Sequence, residues 1–176
     1  MLFDTHAHMD DRSFDEDREE LLAALPGKGI SLLMNPGCSY ESSCSAIALA
    51  EGYDYIYAAV GSHPDVADEV DESLIEKYRA LCLQHPKVKA IGEIGLDYHY
   101  EDIPRQIQKR AFRLQMELAR ELQLPVIVHE REAHEDGLRS WTNSPRSRAC
   151  STATPAPWRW PRSSSSGAGT SASPAC

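Results

Sequence analysis

Short aliphatic runs alternate with amphipathic helical stretches along this chain, which predicts an α/β fold with a parallel sheet covered by helices. Such a sheet is either open and doubly wound or closed as a (β/α)8 barrel of the TIM type. No GxGxxG follows the first strand, so nothing supports dinucleotide binding on an open sheet. Polar residues instead fall towards the carboxyl ends of several strands: His6 and His8, His63, Glu93 and His129. A barrel builds its site from many strand ends, whereas an open sheet gathers ligands at one switch point. The sequence therefore predicts a barrel, incomplete at about five βα units, over residues 1–139.

The elements follow in order. "MLFDTHAH" reads as strand one, and Phe14 to Leu25 as a helix closed by Pro26-Gly27. "ISLLMNPG" is a continuous apolar strand, followed by a helix from about Tyr40 to Ala50. "YIYAAVGSHP" is strand three, with a helix from about Asp71 to Gln84 behind it, and "VKAIGEIGLDY" is strand four. The next helix is the most regular. Asp102 can cap it, Pro104 suits its first turn, and Ile107, Ala111, Leu114, Leu118 and Leu122 form one stripe. "PVIVH" is strand five, and "REAHEDGLR" opens a last helix.

Composition changes abruptly after residue 139. Residues 140–176 contain no Asp, Glu, Lys, Val, Ile, Leu, Met or Phe, but ten Ser, five Pro, four Arg and all three Trp. Such a segment cannot bury enough aliphatic surface to offset its ordering entropy, which predicts a disordered tail. Because the switch interrupts a helix in mid-course, and these residue types are what GC-rich DNA yields out of frame, a frameshift near codon 139 is expected. No apolar run approaches 18 residues, and no basic-then-apolar leader is visible, so neither a membrane span nor a secretory signal is expected. Five cysteines without a CxxC pair suit a reducing cytoplasm. The net charge of −9 argues against coating a polyanion broadly, but not against a metal centre that meets a phosphate locally.

Histidines at i and i+2 on a strand share a face, so His6 and His8 can ligate one ion. Taken alone, the pair is equally well an ordinary polar strand end. Glu93 and His129, from two further strands, tip the balance: three imidazoles and a carboxylate suit a divalent ion, and a carboxylate can bridge two. The chemical gain is a nucleophile, because such an ion lowers the pKa of water from about 15.7 to about 7.

Four segments, "DTHAHMD" (4–10), "GSHPD" (61–65), "GEIGLDY" (92–98) and "PVIVHERE" (125–132), resemble in order and spacing the signatures of the TatD family, metal-dependent deoxyribonucleases and hydrolases of the amidohydrolase-like superfamily. The resemblance covers about residues 1–139. It implies His6, His8, Glu93 and His129 as ligands of one or two divalent ions (Mg²⁺, Mn²⁺ or Zn²⁺). It also implies Glu93 and His63 as catalytic residues, and His63 and Arg131 as substrate contacts, Arg131 on phosphate. The implied reaction is hydrolysis of DNA phosphodiesters, often from a 3′ end. Members continue with an HCYSG-like strand six and a strand-eight aspartate, and this sequence contains neither motif. Two other readings therefore stay open: a catalytically inactive fragment, and a related barrel hydrolase acting on an amide or lactone. Asp97 is expected to hold a loop amide or a histidine.

Overall fold

Each aliphatic run pairs with the next one along the chain. The computed structural model describes residues 1–142 and 149–151. Its strands are β1 (Leu2–Asp4), β2 (Ile30–Pro36), β3 (Ile56–Val60), β4 (Val88–Asp97), β5 (Val126–Arg131) and β6 (Ala149–Ser151), in that spatial order and all parallel. The crossovers carry helices α1 (Arg18–Ala24), α2 (Tyr40–Glu51), α3 (Glu72–Gln84), α4 (Arg105–Leu122) and α5 (His134–Thr142). An open doubly wound sheet would reverse its strand order at a switch point. This one never does, and it curls into a half-barrel of five βα units with β6 added.

Alternation along the strands separates two apolar layers. Leu33, Ala58, Ile91 and Val126 pack outward with Leu22, Tyr78, Phe112 and Leu118 in the main core under the helices. Their chain neighbours Met34, Ala59, Ala90 and Ile127 form a second, smaller cluster on the concave face, with Tyr57 against it. Leu2, Phe3 and Leu32 are exposed at the β1 edge, as an unclosed sheet requires. The opposite edge is β6 rather than the expected β5, because Ala149–Ser151 pair with Val126–Val128. The segment expected to be disordered thus contributes the end of α5 and this short strand; the rest of that expectation lies outside the described residues.

Several boundaries differ from the sequence reading for local reasons. The first helix begins at Arg18, not Phe14. Ahead of it a 3₁₀ turn, Arg12–Phe14, is capped by Asp11, and Arg18 reaches back to the carbonyls of Met9, Asp10 and Asp11. Ser39 and Asp71 cap α2 and α3 with their side chains. Helix α4 is preceded by Pro104 at the cap position, so Asp102 does not cap it. Strand β3 ends at Val60, short of the expected Pro64, which instead opens a further 3₁₀ helix, Pro64–Glu69.

The face that α4 buries is also wider than the apolar stripe. Ile107 is exposed, whereas Gln108 and Gln115 are buried. Each glutamine serves the backbone just beyond or at a strand end. Gln115 accepts from Ser62 N–H (2.7 Å) and donates to Ser62 C=O (3.1 Å). Gln108 does the same for Asp97, at 2.9 and 2.8 Å. Buried peptide groups without partners are costly, so these amides fix the two segments that carry His63 and Asp97. Replacing Gln115 by Leu should cost about 2–4 kcal/mol, by stranding both Ser62 groups. Ile107→Ala should cost under about 1 kcal/mol. Urea unfolding of the two variants checks this; equal midpoints would mean that Ser62 finds other partners.

Candidate metal centre

The β1 ladder ends at Asp4, so His6 and His8 lie in the loop after the strand and not on it. Ala7 N–H still donates to Met34 C=O (3.1 Å), which keeps the loop beside β2. The fully buried Asn35 pins its far end, accepting from Met9 N–H (2.6 Å) and donating to Asp10 (2.7 Å). His8 Nδ1 donates to the Pro36 carbonyl (3.1 Å), which leaves a lone pair on Nε2. The Nε2 atoms of His6 and His8 meet 2.9 Å apart.

Glu93 faces them from inside β4, at a break in register between Ile91 and Ile94. Its amide donates to Gly37 C=O (2.8 Å), and only 5% of the residue is exposed. Its Oε2 lies 3.2 Å from His6 Nε2 and 3.5 Å from His8 Nε2, while Oε1 lies 3.2 Å from His129 Nδ1. His129, two residues before the end of β5, donates from Nε2 to Asp97 (2.9 Å), so Nδ1 is the nitrogen that faces Glu93. His63 stands three residues past β3, at the N-cap position of the 3₁₀ helix. Its Nδ1 donates to Asp65 (2.7 Å), and its ring sits edge-on to His129, centroids 4.3 Å apart. Two groups result, His6–His8–Glu93 and His63–Glu93–His129, each with ligand atoms within 4.8 Å of one another.

The donor set fits a divalent cation. Among the described residues, His6 Nδ1 is the one buried side-chain polar atom without a hydrogen-bond partner. Its other nitrogen is aimed at a second imidazole and a carboxylate, the mixture that zinc and manganese accept.

The electrostatics agree. Burial pushes the Glu93 carboxyl up, but hydrogen bonds from His129, His6 and His8 outweigh it and hold the group far below the usual carboxylate range. The Glu93 hydrogen bond raises His8 above the ordinary imidazole value, against the opposing effect of burial. Burial also opposes charge on His129, yet Glu93 and Asp97 together raise it. Asp97 is lowered: burial acts against this, and His129, the His99 amide and Arg131 outweigh it.

The structure thus gathers His6, His8, Glu93, His129 and His63 at one end of the sheet. Arg131 ends β5 on the rim, its guanidinium 5.0 Å from the Tyr100 ring centroid rather than on the histidine cluster. Asp97 binds both a loop amide, that of His99, and His129. Sequence reasoning missed Asn35 and Asp65 as orienting residues. Asp65 had a legible signal, a carboxylate two residues beyond a histidine in "SHPD"; Asn35 had none beyond being polar in an apolar strand.

The model of the TatD related DNase family matches residues 3–152. The chain belongs to the TatD family. It is 43% identical over 139 residues to the uncharacterized metal-dependent hydrolase YabD of Bacillus subtilis, covering 77% of this chain and 53% of YabD. It is 33% identical over 134 residues to the 3′-5′ ssDNA/RNA exonuclease TatD of Salmonella typhimurium, covering 76% and 51%. The crystal structure of YjjV, a TatD homologue from Escherichia coli K12, superposes with a TM-score of 0.75 at 33% identity, over 81% of this chain and 56% of that one. The chain thus spans about half the length of the curated TatD relatives it matches. Among the described residues, no helix is long and apolar enough to cross a membrane.

The raised His8 and His129 values have a consequence for the metal-free chain. Their stabilisation is fully present below the unfolded value of 6.5 and is lost as pH rises through the raised folded values. In chelator, Tm should therefore rise as pH is lowered from about 8 to about 6. Added Mn²⁺ or Zn²⁺ must displace those protons, so its stabilising increment should shrink over the same window. Thermal melts with chelator and with metal at both pH values check this; a chelated Tm that falls with acid in this window would contradict it.

Proposed function

We propose that this TatD-family chain holds the metal centre of a hydrolase that cleaves phosphodiester bonds in single-stranded nucleic acid. One observation carries the reading: the two oxygens of the buried Glu93 face different histidine groups, His6 and His8 on one side and His129 on the other. Each oxygen, with its neighbouring imidazoles, would offer a divalent ion a mixed nitrogen and oxygen ligand set. The family match, and relatives named as metal-dependent hydrolases or ssDNA/RNA exonucleases, support it. When bound, a divalent ion (Mg²⁺, Mn²⁺ or Zn²⁺) supplies a hydrolytic nucleophile at neutral pH and neutralises charge on a phosphate.

The residues take distinct roles. His6, His8, Glu93 and His129 hold the ions, with Pro36 C=O and Asp97 fixing the tautomers of His8 and His129. His63, turned by Asp65, presents Nε2 beside the same carboxylate, where it contacts the substrate. Arg131 on the rim contacts a phosphate. Because the chain spans about half of its relatives, a second reading also has support: the 176 residues bind metal without turnover.

Two measurements separate these readings. Calorimetric Mn²⁺ titration should show binding that Glu93→Ala weakens by at least about ten-fold. End-labelled single-stranded DNA, incubated with purified protein, should be shortened in Mg²⁺ or Mn²⁺, and not in chelator or with Glu93→Ala. Glu93-dependent metal binding without cleavage would leave the second reading standing. A lactone or amide substrate turned over in preference to DNA would overturn the phosphodiester assignment.

A further inference from the structure

On the loop after β4, joined to the metal centre through His99 and Asp97, lies a group that the hydrolytic roles do not use. Tyr100 follows β4 on the loop that leads to α4, and it is 57% exposed, the most exposed aromatic residue among the large apolar side chains on the described surface. It is nevertheless held in place. The Arg131 guanidinium lies 5.0 Å from its ring centroid, and the His99 ring packs against it edge-to-face at 4.8 Å and 86°. His99 is in turn fixed at both ends: its amide donates to Asp97 (2.9 Å), and its Nδ1 pairs with Glu132 (2.8 Å). Asp97 is the residue that orients His129. The exposed ring is therefore tied through two hydrogen-bonded residues to the metal centre.

The chemistry of this surface is specific in kind. A water-exposed aromatic ring costs solvation unless something covers it, and a planar cation laid against it is what a nucleobase platform carries. Proteins that bind single strands pair such rings with basic groups that track the backbone. Arg131 lies two residues beyond His129 on one strand face, about 7 Å along β5. Tyr98 on the same loop is buried and carries its own cation, Arg105, at 4.3 Å, so it is not open to a base.

We infer that Tyr100, backed by Arg131 and His99, is a stacking platform for the nucleobase adjoining the bond to be cut, and that it selects unpaired strands. A paired base has no free face to offer, so a duplex end must fray before it can engage. This inference rests on the nucleic-acid reading of the metal centre.

The test uses the full chain and a short phosphorothioate-linked single strand carrying 2-aminopurine next to its 3′ end, with Mg²⁺ present. Binding, read by anisotropy, should quench the 2-aminopurine. Tyr100→Ala should weaken binding roughly ten-fold and abolish the quenching, while Tyr100→Phe and Tyr100→Trp retain both. With an abasic site in place of 2-aminopurine, parent and Tyr100→Ala should bind alike. Equal affinities of parent and Tyr100→Ala for the 2-aminopurine strand would overturn the platform and leave the nuclease reading intact. An equal loss on the abasic strand would also overturn it, making Tyr100 a support for Arg131 alone. A parent chain that binds no strand at all would remove the nucleic-acid reading itself, and the platform with it.

Discussion

The structure turns on one buried carboxylate. A carboxylate with so little exposure is tolerable only if it is paired, because desolvating a lone charge costs several kcal/mol. Glu93 meets that demand with three imidazoles from two other segments, two on one oxygen and one on the other. Removing any one of them leaves buried charge incompletely compensated. The loop after β1, the middle of β4 and the end of β5 are therefore mutually dependent: each is placed where it is because the others are.

Backbone geometry makes that meeting possible. A side chain at Gly92 would bring its Cβ to 2.6 Å from Ile127 Cβ, forcing β4 off β5. Gly95 takes a positive φ of 150°, and a Cβ there would collide with the His129 carbonyl. With glycine at both positions, β4 lies close enough to β5 for Glu93 to reach His129. The amides of Gln108 and Gln115 then hold the segments on either side from the helix layer. The site is positioned by the sheet and by α4 together, and an apolar face alone would leave those loop peptides unpaired.

The sheet's sequential order bears on function as well. Parallel strands wound in one direction bring all their carboxyl ends to one rim. His6, His8, His63, Glu93 and His129, and beyond them Tyr100 and Arg131, come from four different strands or the loops that follow them. The same order leaves β1 exposed at one edge, with Leu2, Phe3 and Leu32 in water, which is the physical counterpart of spanning about half of a barrel-forming relative.

Periodicity and residue type alone determined much of this. The alternation of aliphatic runs with amphipathic stretches gave five strands and five helices in the right order, because burial on both faces leaves no other pattern for a parallel sheet. The four motifs named the residues that converge, since imidazole and carboxylate recur wherever a cation must be held. Tertiary structure decided the rest. The sequence could not say that the two nitrogens of His6 and His8 meet from a loop rather than a strand. Nor could it say that Glu93 divides its oxygens between two groups, or that Asn35, Asp65, Gln108 and Gln115 do the orienting. Those are hydrogen bonds of polar side chains to backbone or to one another. Even where the partners are near in sequence, as for His63 and Asp65, the direction of each bond is set by what packs around it. Hydropathy records which side of an element is buried, but not which buried amide faces which peptide, and that pairing exists only once the layers are stacked.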